Sequence, residues 1–541
     1  MEPTTSPTTP AHAPASTPRP SPAPRVRDDS RLRLFPRVAI LGFVSGLVAV
    51  AFGYCLYTTE HLRDDLVASL RDAAGPWGWA ILAPAAFIIG CVVGLMVRFC
   101  PESSGSGIPH VHAVLLHARS MRWWRLLPVK FAGGVLGIGL GGLSLGREGP
   151  TVQIGAAVGQ AISRILRLGD RAAGQMMSCG AGAGVAAAFN APLAGFIFVI
   201  EELRREMSPL TYGGALIAAV CADIVTRGML SDLPSFHIAL HSGLPLLALP
   251  AVAALGAAAG VIGVAFNRSL IRSARAGARL RSVPRWMRPG IACAVAAIAV
   301  WFLPQIAGGG HATAQSLLAG QLVAAPLAFL ALILVGKFLL TVLSYASGAP
   351  GGIFAPMLVM GALLGVLAAR LWDACFPAHD MQAEVGAVLG MAAFFTASVR
   401  APLTGIVLIL EMTGGYQHLF PLAVACLTAY LVAEALGDEP IYEALLTEDL
   451  RRGKTAPGGG AGPTEPIHLA LSIEFGSPMD GKLISEAGLP SGVLIVAIDR
   501  RGRDIVPTGA TRLHAGDLVT FIIPAEQAAD AITVAHLTQA Q

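Results

Sequence analysis

Charge is scarce in this chain: Asp, Glu, Lys and Arg make up only 13% of its 541 residues, against about 25% in soluble domains. That scarcity excludes an ordinary soluble protein. With 54% hydrophobic residues and a mean hydropathy of +0.63, the chain reads as a polytopic membrane protein. The net charge of +4 is too small to imply a nucleic-acid partner. Eight cysteines sit singly, with no CxxC and no metal-ligand spacing, so they read as small buried apolar residues and no metal or cofactor is expected. HExxH is also missing. A membrane-embedded hydrolase would need nucleophile, base and orienter together, so the chain is not expected to be an enzyme.

What is present is a nearly continuous series of apolar segments from Val38 to Leu436, many shorter than the ~20 residues a straight span needs. Residues 1–30 are rich in Pro, Ser and Thr and cannot bury a core, so they form a disordered tail. The first apolar run starts beyond Arg37 and no small-residue cleavage site follows, so no signal peptide is expected. Basic runs at Arg25–Arg37 and Arg268–Arg288, with Arg119, Arg122 and Arg125, predict cytoplasmic faces and hence cytoplasmic termini. They read as solvated or headgroup-facing surface without a specific ligand. The expected division is 1–30 tail, 31–450 membrane domain, 451–465 linker and 466–530 small C-terminal domain.

Three segments break the apolar pattern at membrane depth: Gly105-Ser106-Gly107-Ile108-Pro109, Gly146-Arg147-Glu148-Gly149-Pro150 and Gly351-Gly352-Ile353-Phe354-Ala355-Pro356. Irregular backbone is tolerated there only where protein buries it or it lines a cavity. An ionisable group such as Glu148 at that depth marks a functional site by default. An internal repeat accompanies the breaks. Ala191-Pro192-Leu193-Ala194-Gly195, continuing to Glu201, returns as Ala401-Pro402-Leu403-Thr404-Gly405, continuing to Glu411. Gly155 and Gly180 likewise recur as Gly361 and Gly390. Paired halves with broken helices in corresponding places point to a transport site at the repeat interface.

These three motifs in this order, followed by Tyr442 in Pro440-Ile441-Tyr442, resemble the CLC family of chloride channels and proton-coupled chloride transporters over about 400 residues. The resemblance implies an all-α polytopic fold, a CLC-type inverted repeat with broken and re-entrant helices. It implies a homodimer in the lipid bilayer, in a bacterial inner membrane, with chloride and protons as the transported partners. It also puts Ser106, Tyr442 and the amides of Ile353 and Phe354 around the anion. The physics agrees, because helix N-termini offer orphan N–H donors and partial positive charge without a full countercharge. Serine at 106 implies chloride, with bromide and nitrate not excluded.

The family gives the glutamate matching Glu148 a double role. Ionised, its carboxylate takes the anion's place; protonated, it swings away, so it both gates and carries a proton. Glu202 matches the position where exchangers keep an internal proton acceptor and channels have an apolar residue, which implies chloride/proton antiport. The alternative is a passive voltage- or proton-gated chloride channel on the same scaffold, with Glu148 as its gate and Glu202 merely structural. Glu202 by itself also reads as a surface acid partnered by Arg204 or Arg205. Glu201, repeated as Glu411, reads as structural. Where many relatives carry acids, His110 and His112 follow the first motif, either as pH-sensitive groups or as polar residues with local partners.

The tail alternates like strands at Ile467–Phe475, Val493–Ile498, Ile505-Val506 and Leu518–Ile523, with Asp499-Arg500-Arg501-Gly502 as a hairpin turn. Gly481-Lys482-Leu483-Ile484 and Ala515-Gly516-Asp517 resemble the TrkA-C lobe of potassium-conductance regulators, which implies a small α+β cytoplasmic domain. Two readings remain open for it, a site for a small-molecule effector and a passive assembly domain.

Overall fold

The computed structural model describes residues 29–116, 118–204, 209–230, 236, 244, 246–279, 282–376, 381–455, 466–500, 503–524, 527 and 530–539. The Pro-rich tail through residue 28, the start of the first basic run, the linker residues 456–465 and the turn residues 501–502 lie outside them.

Two sets of eight helices follow one another. The first comprises α1 (Asp29–Ala74), α2 (Trp79–Phe99), α3 (Ile108–Leu115), α4 (Trp123–Gly134), α5 (Glu148–Ile165), α6 (Asp170–Phe189), α7 (Pro192–Phe198) and α8 (Pro209–Met229). The second repeats the order: α9 (Leu249–Arg279), α10 (Arg288–Phe302), α11 (His311–Leu318), α12 (Leu327–Ala346), α13 (Phe354–Cys375), α14 (Ala383–Val399), α15 (Pro402–Thr413) and α16 (Leu419–Ala435). Seven stretches among the described residues are long and apolar enough to span a bilayer. The eight-residue α3 and α11 are far shorter, at ~1.5 Å of rise per residue, than a bilayer is thick.

The recurring glycines mark where helices touch. A Cβ on Gly155 would lie 2.0 Å from the Gly180 carbonyl oxygen, and one on Gly361 would lie 2.4 Å from that of Gly390. The same contact thus joins α5 to α6 and α13 to α14, which is why small residues recur in both halves.

The apolar run that starts at Val38 is part of the 46-residue α1, because the polar stretch from Thr58 onward continues the helix. Two arginines of the basic run from Arg268 are about half exposed and also make ion pairs within the protein. Arg275 pairs with Glu448 at 2.9 Å, which ties α9 to α17 (Ile441–Thr455), and Arg268 pairs at 3.3 Å with Asp438 in the turn before α17. Among the cysteines, Cys100, Cys179, Cys293 and Cys426 are buried as expected of apolar fillers, whereas Cys375 is exposed.

The C-terminal domain holds one antiparallel sheet of β1 (Ile467–Ser472), β2 (Leu494–Arg500), β3 (Arg503–Ile505) and β4 (Leu518–Ile523), in the order β1-β4-β2-β3. A last helix, α18 (Asp530–Thr538), had no counterpart in the strand pattern. The Glu474 amide donates to the Thr538 carbonyl (2.8 Å) and tethers it. The domain's core, with Phe521 and Val519, is continuous with Ala113 and Leu116 at the end of α3 and with Leu446 and Leu450 of α17. His536 and Glu443 approach to 3.6 Å across the same contact.

Candidate functional site

The three glycine-rich breaks are hydrogen-bonded into one knot. The Gly105 amide donates to Ala349 (3.2 Å) and the Gly351 amide to Gly105 (3.0 Å). Gly146 and Gly352 exchange both backbone bonds, at 2.7 and 2.8 Å. From this knot three helices start, α3 at Ile108, α5 at Glu148 and α13 at Phe354, so their orphan amides gather in one place. Glycine is required at 107, where φ is +90° and a Cβ would lie 2.3 Å from Gln153 Oε1. A Cβ at Gly149 would sit 2.5 Å from Ser106 Oγ, which shows how closely the first motif abuts the start of α5.

Ser106, Ile353, Phe354 and Tyr442 are all buried here. Ile353 is the N-cap of α13, and Phe354, its first residue, is wedged between Phe189 and Phe395 at ring distances of 4.9 and 4.5 Å. Ser106 Oγ and the Tyr442 hydroxyl have no hydrogen-bond partner among the described residues. A buried hydroxyl without a partner costs about 1–3 kcal/mol unless something accepts its proton. Tyr442 reaches this region because α17 packs on α3.

Glu148 is only 4% exposed. Its carboxylate lies against the backbone amide of Ala355 in the first turn of α13, while Oε2 has no partner among the described residues. The carboxylate therefore occupies a helix N-terminus that would suit a free anion. The neighbouring Arg147 is turned away, with Nη2 donating to the Ala188 carbonyl at 3.0 Å, and forms no ion pair with Glu148. Glu148 faces a cavity of about 110 Å³ that Arg147, His311, Tyr57 and Glu60 also line.

Glu202 is 2% exposed, which rules out the surface-acid reading. It sits in a π-helical turn, Val199–Arg204, that continues α7. Such turns re-aim side chains and occur often at functional sites. Arg204 Nε is engaged with Ser178 Oγ at 2.8 Å, and Arg205 lies outside the described residues. Tyr442 lies within the electrostatic reach of both Glu202 and Glu148. Glu201, next in sequence, points elsewhere: its carboxylate accepts from the amides of Leu403 and Thr404. His110 Nδ1 is 3.2 Å from Gln153 Nε2, a local polar partner.

Sequence reasoning passed over two buried lysines. Lys130 Nζ donates to the carbonyls of Ser103 and Gly105, at 3.0 and 2.6 Å, and so holds the loop that carries Ser106. Lys337 does the same in the second half, donating to Ile306, Ala307 and Gly308. The signal was a lysine at matching places in two apolar helices, 207 residues apart (337 − 130). Glu60 was passed over as well, because its polar neighbours disguise it as the solvated end of a span.

Residues 85–434 match the voltage gated chloride channel family, and residues 469–534 match the TrkA-C domain. The chain is 37% identical over 438 residues to the H(+)/Cl(−) exchange transporter ClcA of Citrobacter koseri, covering 79% of this chain and 90% of that protein. It is 37% identical over 422 residues to ClcA of Vibrio parahaemolyticus, covering 77% and 90%. Among solved structures, a slow cyanobacterial Cl−/H+ antiporter superposes with a TM-score of 0.74 at 34% identity, over 78% of this chain and 98% of that one. A eukaryotic CLC transporter superposes with a TM-score of 0.63 at 26% identity, over 77% and 74%.

Proposed function

Because this chain belongs to the voltage gated chloride channel family, we propose that Glu148 and Glu202 are the two proton-handling residues with which it exchanges chloride for protons. The chain is a multi-pass membrane protein and a proton-coupled chloride antiporter. The anion rests against Ser106 Oγ, the Tyr442 hydroxyl and the amides of Ile353 and Phe354, held by neutral donors so that it can leave again. When Glu148 is ionised its carboxylate competes with the anion for the start of α13. When it takes a proton that attraction is lost, the side chain swings out and the anion moves in. Glu202 delivers protons by a route separate from the anion's, past Tyr442.

The observation that carries this reading is the burial of Glu202. Burying a carboxylate is costly, and an internal proton acceptor on a route away from the anion is a use that requires one. The test is proton movement into liposomes holding the purified protein, driven only by a chloride gradient. Uphill proton flux that stops in Glu202→Gln, while chloride flux persists, is the expected result. Chloride flux with no proton flux in the wild-type protein would overturn antiport.

The chain resides in a bacterial inner membrane as a homodimer, with both termini in the cytoplasm. The basic runs near Arg37 and Arg268 support that orientation, since Lys and Arg stay on the cytoplasmic side. The membrane domain spans 31–450 and, after a linker at 451–465, the 466–530 region is regulatory and takes a small-molecule effector. Its contact with α17, which carries Tyr442, and with α3, which starts just after Ser106, supports that role.

A further inference from the structure

Glu148 shares its cavity with a second carboxylate. Gly53, Leu56, Tyr57 and Glu60 of α1 line it at helical spacing, and His311 and Gly309 close it from the second half. Glu60 is half-buried, and its carboxylate makes no hydrogen bond or ion pair among the described residues. The cations whose fields reach it are Arg63 on its own helix, Arg147 before α5 and Lys337 on α12. All three spend donors elsewhere. Arg63 bonds Asp64 and the Gly139 carbonyl, Arg147 the Ala188 carbonyl, and Lys337 three carbonyls at 306–308. Asp64, the other nearby acid, is taken by Arg63. His311 is stacked on Phe236 with ring centroids 4.7 Å apart. Glu60 is thus an uncommitted carboxylate facing the gating glutamate across a cavity of about 110 Å³, room for several water molecules. Tyr57, also lining the cavity, is 61% exposed, so the space reaches the protein surface.

We propose that Glu60 is the proton-relay residue of this cavity, standing between Glu148 and solvent. When Glu148 gives up its proton, its O–H bond breaks and the proton passes through cavity water to the Glu60 carboxylate. Glu148, now ionised, returns to the Ala355 amide. Glu60 then releases the proton to water at the Tyr57 rim, and the same steps run backwards when exchange reverses. The relay sets the speed of proton delivery, while Glu148 still fixes how many protons accompany each anion.

This role rests on the antiport reading, and the experiment separates the two. Exchange turnover and the chloride-to-proton ratio are measured in liposomes for the wild-type protein, Glu60→Gln and Glu60→Asp. Glu60→Gln should lower turnover about tenfold in dilute buffer, the remainder being carried by water, and leave the ratio unchanged. Glu60→Asp should restore most of the rate, and concentrated imidazole buffer should raise the rate of Glu60→Gln. Wild-type turnover in Glu60→Gln would overturn the relay. So would an equal loss of anion flux on adding Glu60→Gln to the uncoupled Glu148→Ala protein, since that would place Glu60 on the anion's path. A wild-type protein that moves no protons would overturn antiport itself, and the relay with it.

Discussion

Glu201 and Glu411 each cap the helix that begins the other's motif. Glu201 accepts from the amides of Leu403 and Thr404 at 3.1 and 2.7 Å, and Glu411 accepts from those of Leu193 and Ala194 at 3.0 and 2.8 Å. The exchange is reciprocal, as two-fold pseudosymmetry between the halves requires. It explains why the Ala-Pro-Leu-x-Gly motif recurs together with a glutamate. The motif starts α7 or α15 with Pro in the first turn, and the glutamate from the other half satisfies the amides left over.

Adjacent glutamates should therefore respond in opposite ways. Glu201→Ala and Glu411→Ala each remove a two-amide cap and should cost about 1–2 kcal/mol. Thermal unfolding in detergent should shift downward, with the chloride-to-proton ratio unchanged. Glu202→Gln should show the reverse pattern, losing proton movement with little change in unfolding temperature. A changed ratio in Glu201→Ala would show that the cap also shapes the proton route.

Removing the gating carboxylate should uncouple the two ions. In Glu148→Ala nothing competes for the start of α13, so chloride should cross the liposome membrane without protons. Chloride binding, measured by calorimetry, should rise or hold rather than fall, because the anion no longer displaces a carboxylate. Retained proton coupling in Glu148→Ala would move the gate to another residue.

The two hydroxyls can be weighed separately. Ser106→Ala and Tyr442→Phe each delete one donor while keeping most of the side chain's volume. Each should weaken chloride binding by about 1.5 kcal/mol, roughly tenfold. The backbone amides of Ile353 and Phe354 stay, so binding should persist in both variants. Unchanged calorimetric affinity in either would remove that hydroxyl from the anion's neighbours.

Much of this architecture was legible in the sequence because membrane folds punctuate themselves. Gly and Pro at 105–109, 146–150 and 351–356 announce irregular backbone, and lipid forbids irregular backbone that protein does not bury. The repeat of Gly155 and Gly180 as Gly361 and Gly390 was legible too, but the helix contacts those glycines serve were not. What stayed hidden depends on partners distant in the chain. Lys130 reads as a stray charge until the Ser103 and Gly105 carbonyls are seen to surround its Nζ. Glu60 sits among Thr58, Thr59 and His61 like any helix end in water, and only the packing of α1 beside α5 and α11 encloses it. α18 was missed because its nine residues, Asp530–Thr538, are too short for an apolar stripe to stand out.

Lys130 should be a positioning residue for the anion. Lys130→Met keeps the length of the side chain but strands two buried carbonyls, at about 1–3 kcal/mol each. The loop carrying Ser106 should loosen, and chloride affinity should fall about tenfold or more, while Lys130→Arg recovers part of it. Normal affinity in a folded Lys130→Met protein would reduce the lysine to packing.

The C-terminal domain carries its own pH dependence through Arg500 and Asp517. Burial acts to raise the Asp517 carboxyl, but two 2.7 Å hydrogen bonds from Arg500 and one from the His514 amide outweigh it and hold the group below the usual carboxylate range. A group held lower in the folded state stabilises it above the unfolded value, near 3.9, and loses that contribution as pH falls through the folded value. The pair bridges β2 to the turn before β4, so acid should open this sheet first. Asp517→Asn should cost about 2 kcal/mol near pH 7, the modest end for a broken pair because Arg500 is a third exposed. Hydrogen exchange on the full-length protein reads this directly. Amides of β2 and β4 should lose protection below about pH 4 in the wild type, and at neutral pH in Asp517→Asn. Equal protection in the two proteins at pH 7 would show that the sheet holds without the pair.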